Sequence, residues 1–271
     1  MHFSAHARLN RTLLVTATAA VLAVALTGPL APETARLGSV AALVLLLLGA
    51  LRLAGLQSRR AARFARFVSP GIAAALEGDD LPADSSRELS VVYADVRNFT
   101  AFAEATDPAA VLRFLREYYE AIGNAVAAHG GTVKDYAGDG VMVLVGATEA
   151  LADHADRAIA LACAIRAAAS DVTVRWSSEG SPLGVGVGVA SGMTALGMVG
   201  GTTERMEFAA VGPAVNLAAR LCGRAAADEV LVDAHTLSLA RQATNRCIAG
   251  QPMALKGIDR TVVGYALTHS A

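Results

Sequence analysis

Two aspartates stand where the local sequence puts carboxylates at the ends of strands. Asp95 closes the apolar run Leu89 to Ala94, and Asp139 sits in Gly138-Asp139-Gly140 between the runs Thr132 to Tyr136 and Val141 to Val145. The flanking runs read as strands, the second pair as a hairpin. A side chain in a hairpin turn can meet one at the exit of a neighbouring strand. Two hard oxygen ligands on rigid strand ends, with few other protein ligands, are what magnesium bound to phosphates requires. They also suit a two-metal clamp for in-line displacement at phosphorus. The plainer alternative is that Asp95 caps the turn after it and Asp139 is an ordinary turn aspartate. Position alone leaves both open.

Two other groups qualify by type and spacing. Asn216 and Arg220 lie four apart in Pro213 to Arg224, which reads as a helix, so both can point into one cleft. A solvated helix face is the alternative. Of the 23 basic residues only Lys134 and Lys256 are lysines, so arginine serves almost everywhere a positive charge suffices. The three cysteines, Cys163, Cys222 and Cys247, are widely spaced and lack a CxxC, which supports neither a disulfide framework nor a zinc site. His129, His154 and His235 have no carboxylate or second histidine at metal spacing and read as structural. Gly184 to Gly188 and Gly192 to Gly201 resemble a nucleotide-binding glycine loop only superficially. The first reads as a strand, and no helix follows the second.

The elements that position these residues begin near Leu89, where strands and helices start to alternate. Asp107-Pro108 supplies an N-cap and a first-turn proline for a helix that closes at Gly130-Gly131. A helix from about Glu149 to Ala169 follows, then strands over Leu183 to Ala190 and Glu207 to Val211. The helix bearing Asn216 comes next, then a strand over Glu229 to Val232 and a helix near Ala234 to Arg241. Strands near Met253 to Leu255 and Thr261 to Leu267 close the chain. This is an α+β or α/β sandwich, one sheet covered by helices.

Upstream the composition differs. The 271 residues are 54% hydrophobic, with a mean hydropathy of +0.44, too apolar for an ordinary soluble domain. Residues 12–30 and 37–56 are apolar stretches, each close to the roughly 20 residues that cross a bilayer as a helix. Arginines flank their outer ends, which predicts a hairpin with both termini in the cytoplasm of a cell (inner) membrane. A cleaved signal peptide is the rival reading of the first stretch. The expected organisation is a membrane anchor over 1–57, a juxtamembrane helix and linker over 58–87, and a chemistry-bearing domain over 88–268. The net charge of -1 and pI near 6.6 argue against broad nucleic-acid binding.

Four segments occur in order: Asp95-Val96-Arg97-Asn98-Phe99-Thr100, Gly130-Gly131-Thr132-Val133, Gly138-Asp139-Gly140-Val141-Met142, and Gly212-Pro213-Ala214-Val215-Asn216-Leu217-Ala218-Ala219-Arg220-Leu221. Together they resemble the class III adenylate/guanylate cyclase catalytic domain over roughly residues 88 to 268. The resemblance implies a ferredoxin-like fold, a mostly antiparallel sheet covered by helices. It also implies that Asp95, Asp139 and the carbonyl of Val96 hold two Mg2+ or Mn2+ ions per active site. Phe99 with Asn98 and Thr100 would line the triphosphate pocket through backbone N–H groups. Asn216 would orient the ribose, Arg220 stabilise charge on the transferring phosphorus, and Lys256 contact the terminal phosphates.

The base-reading positions depart from the family pattern. Four residues before Asp139, adenylate cyclases usually have lysine and guanylate cyclases glutamate, whereas this chain has Asp135, and seven before Asn216 it has Ala209. On a regular strand neighbouring side chains face opposite ways, so Lys134 cannot replace Asp135 without a bulge or register shift. The resemblance implies conversion of ATP to cyclic AMP by a head-to-tail homodimer. GTP as substrate and a non-catalytic nucleotide-sensing module remain the alternatives.

Overall fold

The computed structural model describes residues 48–56, 84–177, 182–200, 206–241 and 250–268. The chain divides into two units, residues 1–80 and 81–271. In the first, residues 48–56 form a helix, α1, whose Leu48, Leu51, Leu53 and Leu56 are exposed. The first expected span, most of the second, and the expected juxtamembrane helix lie outside the described residues. Among the described residues no helix is long and apolar enough to cross a membrane.

The second unit runs β1 (Ser85–Arg97), α2 (Phe99–Ala105), α3 (Pro108–Ala128), β2 (Thr132–Ala137), β3 (Gly140–Val145), α4 (His154–Trp176), β4 (Gly184–Val199), β5 (Glu207–Val211), α5 (Pro213–Arg224), β6 (Glu229–Asp233), α6 (Ala234–Leu239), β7 (Gln251–Leu255) and β8 (Ile258–Ala266). The strands form one sheet in the order β2-β3-β1-β4-β6-β8-β7, with β5 added to β4. The β4–β6 pairing is parallel and the others are antiparallel. The mostly antiparallel sheet expected from the sequence is therefore present.

Central strand β1 explains why both sheet faces are covered. Its Val92, Ala94 and Val96 bury into a core with α3 and α4, and its Leu89 and Val91 into a second core under α5. Period-two alternation with apolar residues on both sides leaves no face for water. Helix α3 starts as its sequence requires, with the Asp107 carboxylate accepting from the Ala110 N–H at 3.2 Å and proline in the first turn. Phe114, Tyr118, Ile122 and Val126 recur every fourth residue and form its buried stripe. The Phe114 ring stacks on Tyr118 at 5.8 Å and meets Phe102 at 5.3 Å.

Strand β4 is longer than its apolar run predicts. Past Ala190 it continues to Val199 because the first half of β1 pairs with it as far as Leu196 and β5 folds back on it, from Ala195 opposite Val211 to Val199 opposite Glu207. Gly192 and Gly197 are strand residues within that extension. At Gly188 an added Cβ would lie 2.2 Å from both the Ala218 carbonyl oxygen and the Cys222 nitrogen, so glycine lets α5 rest on the strand backbone.

Candidate active site

Asp95 and Asp139 meet. Asp95 is near the end of β1, and the turn between β2 and β3 carries Asp139 to it. A Cβ at Gly140 would stand 3.6 Å from Asp95 Oδ1, so the carboxylate lies over that turn. Gly138, at φ 64°, allows the turn its left-handed step. The Tyr119 hydroxyl, from α3, donates to the Gly138 carbonyl and braces it. The Asp139 carboxylate accepts from the Val96 N–H, which joins the second metal candidate to the residue after the first.

The electrostatics of the pair fit a hard divalent cation. Burial, and then the Asp95 charge beside it, push the Asp139 carboxyl up to about 6. Two adjacent carboxylates, one of them half-buried, are an anionic site short of positive charge. Among the described residues no cluster of three or more His, Cys, Asp or Glu side chains exists. A cation held here would complete its shell with backbone, water or phosphate oxygens, as magnesium does.

Arg97 supplies part of the missing charge, and sequence reasoning gave it no role. Its Nη1 stands 3.4 Å from Asp95 Oδ2 while its Nη2 donates to the Cys222 carbonyl at 2.7 Å. The Cys222 thiol, pushed up to about 12 mainly by burial, stays protonated and donates to the Gly186 carbonyl at 3.2 Å. The period-two glycines Gly184, Gly186 and Gly188 were the available signal: a buried strand stripped of side chains on one face marks a close approach.

The residues after Asp95 do two things. Asn98, at φ 63°, turns the chain into α2, and its amide donates to the Pro182 carbonyl at 2.8 Å. The Phe99 ring packs 6.2 Å from Phe102 and 6.0 Å from Phe114, so its side chain serves the core. Thr100 is exposed in the first turn of α2. What this segment can offer a phosphate is backbone N–H groups and the Thr100 hydroxyl.

A recess of about 310 Å³ gathers the base-reading candidates. Asp135 and Ala209 line it with Tyr93, Met142, Val215, Lys134 and Glu207. The register of β2 against β3 shifts between Val133 and Asp135, a β-bulge at Lys134. The regular alternation expected for this strand is therefore broken where it matters, and Lys134 joins Asp135 in the recess. Lys134 Nζ pairs with Glu207 Oε1 and lies 4.0 Å from Asp135 Oδ2.

Asn216 and Arg220 are both exposed on α5, as their spacing predicts. Asn216 lines a larger recess of about 810 Å³ together with Ser191, Asp233 and Gly257, the residue after Lys256 in the β7–β8 turn. Among the described residues, the hydrogen bonds and ion pairs include none from Asn216, Arg220 or Lys256 to either aspartate. One chain thus assembles the aspartate pair, with neither Asn216 nor Arg220 bonded to it.

His154 and His235 occupy structural positions. His154 Nδ1 meets Ser90 Oγ at 2.8 Å in a buried chain that continues through Ser191 to Thr236, and His235 pairs with Glu88 at 2.8 Å.

Residues 81–269 match the family model of the adenylate and guanylate cyclase catalytic domain. An adenylate cyclase of Anabaena cylindrica is 32% identical over 161 residues, 58% of this chain and 31% of that protein. An uncharacterized protein of Mycobacterium tuberculosis is 31% identical over 77% of this chain and 38% of its own length. The chain thus spans about a third of the length of these relatives. Among solved structures, the guanylyl cyclase Cya2 superposes with a TM-score of 0.63 at 27% identity, over 68% of this chain and 92% of that one. The adenylyl cyclase CyaB from P. aeruginosa does so with a TM-score of 0.63 at 27% identity, over 69% and 97%.

Proposed function

Because the chain belongs to the adenylate and guanylate cyclase catalytic domain family, we propose that it converts ATP to 3',5'-cyclic AMP and pyrophosphate. The carrying observation is the Asp95–Asp139 pair, in which burial and then the Asp95 charge raise the Asp139 proton affinity, held on a strand end and a braced turn. Magnesium or manganese bound there supplies Lewis-acid charge to the phosphates and lowers the pKa of the ribose 3'-hydroxyl. In this reading Asp95, Asp139 and the Val96 backbone hold the cation. Backbone groups from Asn98 to Thr100 lie along the triphosphate. The ribose 3'-hydroxyl gives its proton to water, and its oxygen bonds to the alpha phosphorus as the bond to the bridging oxygen of pyrophosphate breaks. Asn216 orients the ribose, the Arg220 fork meets charge developing on the alpha phosphoryl oxygens, and Lys256 follows the departing pyrophosphate.

Among the described residues, Asn216 and Arg220 are exposed and make no hydrogen bond or ion pair to the aspartates of their own chain, which supports a head-to-tail homodimer with two composite sites. Met193 and Val211, 56% and 66% exposed on paired strands β4 and β5, give such a dimer apolar surface to cover. Residues 12–30 and 37–56 we assign to a membrane hairpin that leaves the catalytic domain in the cytoplasm, on the strength of their length and flanking arginines.

Asp135 in the recess favours a second reading, GTP to cyclic GMP, since a carboxylate accepts hydrogen bonds from guanine N1–H and its amino group. The test is cyclic nucleotide formation by the full-length protein from ATP and from GTP, with magnesium and with manganese. Asp95→Ala is expected to abolish it. Turnover that survives in that variant overturns the proposal, and tight triphosphate binding without turnover in wild type means a sensing module instead.

A further inference from the structure

We propose that Arg97 is a positioning residue that ties the aspartate pair to helix α5, so that loading the pair with a cation is felt at the helix. The inference rests on the cyclase reading above and assigns a regulatory link within it. Arg97 reaches both parts: 3.4 Å to Asp95 and 2.7 Å to the carbonyl of Cys222. That carbonyl belongs to the last turn of α5, where the helix dipole is negative, and it also accepts from the Ala225 N–H at 3.1 Å. Arg97 therefore brings a second donor and a positive charge to the C-terminal end of the helix that carries Asn216 and Arg220.

The cradle is built for this side chain. A Cβ at Gly186 would fall 2.3 Å from Arg97 Nη2 and 2.5 Å from Nε, so only glycine lets the guanidinium cross β4 to α5. Its Nε is buried without a partner, a cost accepted to hold both ends of the fork. Lysine, with one ammonium, cannot bridge two acceptors on different elements in this way. When a cation neutralises Asp95, the guanidinium loses its carboxylate and keeps the carbonyl. The balance of forces on the end of α5 changes although the cation does not touch it.

The test is amide hydrogen exchange on the full-length protein, with and without manganese ion alone. In wild type, manganese is expected to slow exchange in the turn 137–140 and to change it about threefold or more in residues 221–224. Arg97→Lys keeps the charge and loses the bridge; it should retain the response of the turn and lose that of α5. Gly186→Ala displaces the guanidinium by volume alone and should do the same. A turn that responds while wild-type α5 does not, or an α5 response that persists in both variants, overturns this inference and leaves the cyclase reading standing. A wild-type turn that ignores manganese overturns both.

Discussion

Lys134 and Asp135 are consecutive residues of one strand, yet both line the same recess, because the bulge between Val133 and Asp135 turns Lys134 to Asp135's side. The pair sets an ammonium donor and a carboxylate acceptor side by side, with Glu207 closing on the lysine. Either purine edge can be read by such a set, and the balance between them is open to substitution. Asp135→Lys should raise the ATP-to-GTP ratio of kcat/KM about tenfold, the scale of one hydrogen bond gained against one lost. Parallel assays with both nucleotides measure it; an unchanged ratio removes Asp135 from base reading.

Asp139 carries a pH signature. Its carboxyl is raised from 3.8 to about 6 in the folded chain, first by burial and then by Asp95. The folded state therefore holds the proton more tightly than the unfolded one. The associated stability is full below about pH 4 and is lost as pH rises through about 6. Melting temperatures of metal-free protein should fall across that window, Asp139→Asn should flatten the fall, and manganese at pH 7 should raise the melting temperature.

A composite site can be rebuilt from two damaged chains. Asp139→Ala and Arg220→Ala should each be inactive alone. Mixed, they should recover cyclic nucleotide formation up to about one quarter of the wild-type level, because random pairing gives one intact site in half of the dimers. Absence of recovery, with exchange of subunits demonstrated, argues for sites contained in single chains.

Gly188→Ala tests the approach of α5 to the sheet. The new methyl group would meet backbone atoms of Ala218 and Cys222 at 2.2 Å, and backbone cannot rotate away as a side chain can. The expected loss is about 1–3 kcal/mol, read as a lower denaturant midpoint with unchanged slope.

The features legible in the sequence are those that local rules determine. Asp107-Pro108 opens α3 as its capping chemistry requires, and the four-residue spacing of Asn216 and Arg220 gives one helical face. Asp95 and Asp139 end up together because a strand exit and a hairpin turn each fix a direction. What was not legible depends on distant partners. Arg97 reaches a carbonyl 125 residues away. The second half of β4 is a strand because Ser85 to Ser90 of β1 and then β5 pair with it, and the bulge at Lys134 exists only against the register of β3. Helix α2 follows Asn98 without a side-chain cap to announce it. The anchor expected over residues 12–30 and 37–56 stands on hydropathy and flanking charge, as it did at the outset.

The place of β1 in the middle of the sheet also sets a timetable for synthesis. Its nearest sequence partner is β3, but its long partner is β4, and Ser90 meets Ser191 across 101 positions. At about 5–20 residues per second, a ribosome needs about 5–20 s between the two. During that interval the nascent chain exposes a strand apolar on both faces. Its emergence is the moment when trigger-type chaperones would matter most, and slowed translation between residues 97 and 184 would lengthen it.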